Sequence, residues 1–324
     1  MKTVALARWL ADEYGARIEG AAAGRVRLLP LRGEEGEAGL DDVEIAVYGP
    51  YEGPLSFWEL ADRMPGLHWI HSTGAGIDSF ASPGLAERGV IVTNSAGVYA
   101  PAMAEYAIAA MVAIARDFRR LIAQQDERCW NHEEISGREL YGKRVGIVGY
   151  GLTGRYLAGV CKALGMEVWA TKRRPMLIEG EPVDRLLPAH GLHELLGASD
   201  YVVVTASLNS TTRHLLGDTE FSALKPGAGL VNIARGGLVD QDALLRALDD
   251  GRVGGAVLDV VVPQPLPPES RLWTHPRVIV TSHISGGSPE GWARSMDLFL
   301  SNLPLYLDGE VGRLGNVVDL RDHL

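Results

Sequence analysis

Residues 145–154 read VGIVGYGLTG, a short apolar run leading straight into G-x-G-x-x-G at Gly149, Gly151 and Gly154. This pattern constrains the chain more than any other, because it requires a strand, a tight turn and a helix in that order. The first glycine permits the turn. The second lets a pyrophosphate approach the backbone, and the third lets the helix pack close on the strand. The helix N-terminus then offers free N–H groups and partial positive charge to the phosphates. Val145, Ile147 and Val148 supply the strand, residues 156–164 continue as a helix, and a second strand follows at 167–171. An ordinary glycine turn would explain the glycines alone. The β-α-β context points to a dinucleotide site.

The chain has 324 residues, more than one usual core, so about two domains are expected. With 46% hydrophobic and 22% charged residues it reads as globular. No apolar run reaches the roughly 18 residues of a membrane span. The opening MKTVALARWLADEYG is interrupted by Arg8, Asp12 and Glu13, which favours a first strand and helix over a signal peptide. Cys129 and Cys161 are the only cysteines and lack metal-ligand spacing, so no metal site is expected and a reducing cytoplasm is the expected home. A net charge of −10 argues against nucleic acid and anionic membranes as partners. Small anionic substrates remain open, because local arginines decide those.

Apolar strand-like runs recur at 26–31, 43–48, 68–72 and 90–93, alternating with helical stretches, which indicates a parallel α/β layer. Residues 32–42 form a Gly- and Glu-rich solvated loop, and 101–122 read as one long Ala-rich helix. Beyond it, strands are expected at 145–148, 168–170, 201–205, 229–233, 255–258 and 278–281, enough for a doubly wound nucleotide domain. From about Ser285 the chain is helical with no strand series, and packs most simply back on the first domain. The division expected is therefore a substrate domain from 1–99 and 285–324 and a nucleotide domain from 100–284. Hinges are expected near 97–101 and 283–289.

Two residues stand directly after expected strands, where open α/β sheets bind ligands. Arg235 precedes Gly236-Gly237. Its guanidinium suits bidentate capture of a carboxylate and polarisation of an adjacent carbonyl, and the paired glycines suggest space for a ligand. His283 precedes Gly286-Gly287. A histidine there can donate a proton near neutrality, although alone it equally suits a cap or a core position. The amides of Gly74, Ala75 and Gly76 form a candidate anion nest, or a plain turn.

Four segments together resemble the D-2-hydroxyacid dehydrogenase family. They are Ser72-Thr73-Gly74-Ala75-Gly76-Ile77-Asp78, the glycine motif, Asn232-Ile233-Ala234-Arg235-Gly236-Gly237-Leu238-Val239-Asp240, and Leu258-Asp259-Val260 through Pro263-Gln264-Pro265-Leu266-Pro267 to His283. The resemblance implies a Rossmann-type doubly wound nucleotide domain inserted into a flavodoxin-like α/β substrate domain, and usually a homodimer. It implies hydride transfer between a nicotinamide and C2 of a 2-keto or 2-hydroxy acid such as glyoxylate or hydroxypyruvate. Arg235 would bind the carboxylate and carbonyl, and His283 would act as acid/base. The family layout also places Leu152 and Thr153 at the pyrophosphate, and Ser207 and Thr212 near the adenosine side. Ile233 and Asp259 fall near the nicotinamide, with Asp259 by its carboxamide, and Ser285 and Gly286 are further cofactor-binding candidates.

One position departs from that pattern. The family carries a glutamate five places after the aspartate of L-D-V, and this chain has Gln264. A carboxylate beside a histidine raises its pKa, whereas an amide orients the ring without charge. Formate dehydrogenases of the same superfamily also pair Gln with His, so a formate-like substrate is the alternative. The chain is short for that group, and Thr93-Asn94-Ser95 does not resemble its formate-binding segment.

The end of the second strand of the β-α-β unit sets the nicotinamide preference. NAD enzymes place Asp or Glu there for the ribose 2′-hydroxyl. Here it reads Thr171-Lys172-Arg173-Arg174, so NADP(H) is expected over NAD(H). A non-catalytic dinucleotide-sensing protein on the same fold is the rival from another class, and Arg235 with His283 weighs against it. Tyr48, Tyr51 and Trp292 suit either a pocket wall or core packing. The Ala-rich helix and the arm through Trp130 suit either a dimer interface or a monomer core.

Overall fold

The computed structural model describes residues 1–34, 36–50, 57–76, 83–131, 137–176 and 179–320. Tyr51, Ile77 and Asp78, singled out above, lie outside these. The chain divides into two compact units, Met1–Tyr99 with Ser288–Leu324, and Ala100–Gly287.

The first unit opens with β1 (Lys2–Ala7), α1 (Arg8–Ala22), β2 (Val26–Leu31), β3 (Val43–Tyr48), α2 (Phe57–Asp62), β4 (Trp69–Ser72), α3 (Pro83–Glu87) and β5 (Ile91–Asn94). The second unit then runs α4 (Ala100–Ala115), α5 (Phe118–Asp126), β6 (Arg144–Val148), α6 (Leu152–Ala163), β7 (Glu167–Lys172), β8 (Arg185–Pro188), α7 (Leu192–Ala198), β9 (Tyr201–Val204) and α8 (Asp218–Ala223). It closes with β10 (Ala228–Asn232), α9 (Gln241–Asp249), β11 (Val253–Leu258), α10 (Arg271–Thr274) and β12 (Val278–Val280). The chain finally returns to the first unit through α11 (Pro289–Leu307) and β13 (Val317–Val318).

In the second unit the sheet order is β12-β11-β10-β9-β6-β7-β8, with every pairing parallel. Strand order reverses between β6 and β9, which is the switch point of a doubly wound sheet. Helices cover both faces, so the strands are apolar throughout rather than alternating. All four residues of β9 are buried. Separate apolar clusters fill the two faces, one around Leu195, Leu230 and Leu258, the other around Met111, Ile147 and Val231.

The first unit's sheet order is β13-β5-β4-β3-β1-β2, parallel except for β13. The β2-β1-β3-β4-β5 core has flavodoxin-like order. Helix α11 lies against α1, and its Phe299 stacks on Trp69 with ring centroids 5.2 Å apart. Ser95 and Ser295 share a buried hydrogen bond of 2.7 Å.

Two expectations are corrected. The doubly wound sheet has seven strands rather than six, because Arg185–Pro188 adds an edge strand too short and too polar at its flanks to read as one. The stretch 101–122 is two helices, because Asp117 takes a left-handed backbone (φ 50°) that ends α4 and starts α5. The C-terminal part contributes one short strand, which pairs antiparallel with β5 and so carries no parallel signature. No helix among the described residues is long and apolar enough to cross a membrane.

Candidate active site

The carboxyl ends of the parallel strands share one edge of the second unit's sheet, and the glycine turn sits at the end of β6. Gly149 has φ +105°, and a Cβ there would lie 2.5 Å from the backbone of Ala206. A Cβ on Gly154 would lie 2.5 Å from the carbonyl of Gly149. Gly151 has nothing within 4 Å of its ideal Cβ, and it caps α6 without any side-chain hydrogen bond. Two glycines are thus forced by packing, and the one facing open space is the one a pyrophosphate would approach. The first-turn amides of α6, at Leu152, Thr153 and Gly154, lie ahead of any intrahelical acceptor. This cradle fits a dinucleotide.

Thr171, buried, holds the turn: its hydroxyl accepts from Gly149 N at 3.3 Å and its carbonyl accepts from Tyr150 N at 2.7 Å. Lys172, Arg173 and Arg174 follow, all exposed, with no hydrogen bond or ion pair on their side chains among the described residues. A contact the sequence did not suggest ties the segment beyond this run to the turn. Tyr150 donates its hydroxyl to Glu181 at 2.8 Å, and Arg155 pairs with the same carboxylate at 2.9 Å. At the end of β9, the Thr212 hydroxyl donates to the Ser207 carbonyl at 2.8 Å and accepts from Asn209 N at 2.8 Å, so it shapes this loop while Ser207 stays exposed.

The ends of β10, β11 and β12 bring Arg235, Asp259 and His283 together. Ile233 is buried in the apolar cluster beneath. Asn232 braces the next turn, its side chain accepting from Ala234 N at 3.1 Å and donating to the Arg235 carbonyl at 3.0 Å. Arg235 is half-buried and donates to the Ala234 carbonyl at 2.8 Å. The glycine after it answers a different need from the one expected. A Cβ on Gly236 would lie 2.3 Å from the Val261 backbone, so close chain-to-chain packing demands it, rather than room for a ligand.

Asp259 is fully buried. Its carboxylate accepts from Thr281 Oγ1 at 2.6 Å, Ile284 N at 2.9 Å and Ser285 N at 2.8 Å. Burial acts to raise its pKa, but the hydrogen bonds from Ser285, Thr281 and Ile284 outweigh burial and hold it below the usual carboxylate value. The residue expected beside a carboxamide therefore also anchors the 281–285 turn, in which Ser285 is buried, and Gly286 just beyond it is half-buried.

That turn presents His283. Its N–H donates to the Asp259 carbonyl at 2.8 Å, and its backbone is left-handed at φ 58°, an uncommon conformation for a residue with a Cβ. The residue is exposed, with Arg235 and Asp259 near enough to act on its ring. Partial desolvation, then the nearby Arg235 guanidinium, lower its pKa from the ordinary value, and Asp259 opposes them. Gln264 reaches the ring with Nε2 3.5 Å from Nδ1, a loose contact.

In the first unit, the turn after β4 holds the candidate nest. Gly74 N meets Ser72 Oγ at 3.2 Å. Asn94 donates to the Ala75 carbonyl at 2.7 Å, and Tyr99 donates to that of Thr73 at 2.5 Å. Below lies His71, fully buried, with Nδ1 2.9 Å from Thr93 Oγ1 and its pKa pushed down to about 4 by burial. Tyr48 packs edge-on against Phe57, and Trp292 against Trp9.

Comparison with known proteins gives the family. Residues 108–285, over half the chain, match the family described as D-isomer specific 2-hydroxyacid dehydrogenase, NAD binding domain. The chain belongs to that family. It is 35% identical over 266 residues to a glyoxylate reductase of Thermococcus gammatolerans, covering 78% of this chain and 77% of that protein. It is 33% identical over 225 residues to the D-3-phosphoglycerate dehydrogenase of Synechocystis sp., covering 69% of this chain but only 40% of the length of that relative. Among solved structures, the NADPH-dependent glyoxylate/hydroxypyruvate reductase of Sinorhizobium meliloti, in complex with NADP and sulfate, superposes with a TM-score of 0.82 at 26% identity, covering 100% of both chains. As a D-isomer specific 2-hydroxyacid dehydrogenase relative, the chain is an NAD(P)-dependent oxidoreductase.

Proposed function

We propose that this chain interconverts a small 2-keto acid of the glyoxylate or hydroxypyruvate type and its D-2-hydroxy acid, with NADP(H) preferred. The observation that carries this reading is the placement of Arg235 and His283 past the ends of β10 and β12, the two strands that flank β11, near enough for the guanidinium to perturb the imidazole. Gly149, Gly151, Leu152, Thr153 and Gly154 would hold the dinucleotide's phosphates. Thr171, Ser207 and Thr212 would flank its adenosine half, and Ile233, Asp259, Ser285 and Gly286 its nicotinamide half. When bound, the nicotinamide supplies hydride in reduction and takes it back in oxidation. Arg235 binds the carboxylate and polarises the carbonyl. As charge builds on the carbonyl oxygen, His283 gives it a proton, and it recovers that proton in the reverse direction. Gln264 orients the ring. The amides of Gly74, Ala75 and Gly76 are assigned to the substrate carboxylate.

Lys172, Arg173 and Arg174 support the NADP(H) preference, since three cations without a carboxylate suit a 2′-phosphate. In assays with glyoxylate and hydroxypyruvate, kcat/KM for NADPH is expected to exceed that for NADH by at least about tenfold, and Lys172→Asp to erase the gap. Equal values for the two nucleotides would remove the cofactor reading. Tight nucleotide binding without turnover of any 2-keto acid would instead indicate a dinucleotide sensor.

The Gln264–His283 contact supports a second reading, oxidation of formate or a similar small anion. Formate turnover exceeding glyoxylate turnover would favour it. For the main reading, Gln264→Glu should extend keto-acid reduction upward in pH. Reduction requires protonated His283, so the rate falls as pH rises through its lowered pKa. A carboxylate stabilises imidazolium and moves that limb up by about one unit. An unmoved pH profile would count against His283 as the proton donor.

We also assign a homodimer and a cytoplasmic location. Helix α5 buries none of its residues, leaving Phe118, Leu121 and Ile122 exposed, and Trp130 is 97% exposed. A monomer in sedimentation at micromolar concentration would exclude the dimer. Cys129 and Cys161 are both free, which suits a reducing compartment.

A further inference from the structure

We infer that Tyr106, on α4, is a positioning residue for His283, acting through a hydrogen-bond relay of Thr281 and Asp259. Its importance for turnover rests on the reading above; the relay itself does not. Tyr106 is half-buried, and its hydroxyl lies 2.5 Å from Thr281 Oγ1. Thr281 Oγ1 lies 2.6 Å from Asp259 Oδ1. These two contacts settle which atom donates. An ionised carboxylate only accepts, so the threonine proton must point to Asp259, and the threonine oxygen is left to accept from Tyr106. The relay therefore runs from phenol to hydroxyl to carboxylate, each link charge-assisted or polarised by the next.

The relay ends on the groups that hold His283. Asp259 grips the backbone of Ile284 and Ser285 through its side chain, and that of His283 through its carbonyl. Thr281 fixes the other flank. His283 sits between these points in a left-handed conformation that a loose loop would abandon. The sequence pattern explains Asp259, Thr281 and His283 as neighbours in one segment. Tyr106 comes from 175 residues away, on a helix packed against α6, β10 and β11, and so anchors the turn to a rigid body. The groups around the ring are Arg235, Asp259 and Gln264, and the distance to the guanidinium depends on where the turn is held.

The test is Tyr106→Phe, with Thr281→Val and Thr281→Ser beside it. Histidine NMR titration reads His283 without any turnover. In Tyr106→Phe its pKa should rise by about half a unit toward the ordinary value, as the ring gains water and distance from Arg235. With glyoxylate and NADPH, kcat should fall about tenfold while KM for NADPH stays within about twofold. Thr281→Ser should retain activity and Thr281→Val should lose it. The double variant of Tyr106→Phe and Thr281→Val should be no worse than Thr281→Val alone, as for two links of one chain. An unmoved His283 titration in a Tyr106→Phe protein that keeps its Tm would overturn the relay, as would additive losses. If the parent turns over no 2-keto acid, the proposed function fails while the titration still decides the relay.

Discussion

Arg235→Ala is expected to lower kcat/KM for a 2-keto acid by about a thousandfold, with nucleotide affinity nearly unchanged. A bidentate guanidinium–carboxylate pair makes two charge-assisted hydrogen bonds of about 1.5–3 kcal/mol each, and their loss spans about a hundredfold to ten-thousandfold. Arg235→Lys keeps the charge but not the fork, so it should recover only part of the loss. The substitution has a second signature. Removing a cation from beside His283 favours imidazolium, so the histidine pKa, now held down by desolvation and then by Arg235, should rise. Steady-state kinetics and histidine NMR titration read the two effects separately. If kcat/KM fell less than tenfold, the carboxylate must be held elsewhere.

His283→Gln should reduce kcat by two to four orders of magnitude, the usual contribution of a positioned proton donor. KM for the keto acid should move little, because Arg235 and the backbone amides, not the imidazole, are assigned to bind it. The falling limb of the pH profile, set by the lowered His283 pKa, should vanish with the imidazole. A retained limb would assign that ionisation to another group. Together with Gln264→Glu, this variant separates loss of the proton donor from a change in its pKa.

The doubly wound architecture was legible because buried parallel strands must be apolar throughout. Runs such as Tyr201–Val204 and Ala228–Asn232 announce themselves, and each ends where open sheets present ligand groups. The β6–α6 turn was equally legible, since glycine is the one residue that tolerates the geometry found at Gly149 and Gly154. Edge strands were not. Arg185–Pro188 is four residues long and partly exposed, too weak a signal to separate from a loop. The break at Asp117 was hidden because no Gly or Pro marks it: the sequence turns from Ala-rich to Arg-rich there, and the left-handed backbone alone ends the helix.

Local order along the chain was enough to set the strand–turn–helix units, the family, and which strand ends carry Arg235, Asp259 and His283. These depend on periodicity and short-range sterics, which neighbouring residues encode. Only the tertiary structure decided that Gly236 yields to the Val261 backbone, that Glu181 closes on Tyr150 and Arg155, and that Tyr106 reaches Thr281. Such contacts join segments 25 to 175 residues apart, and no local pattern of residue types specifies which distant side chain will complete a hydrogen bond.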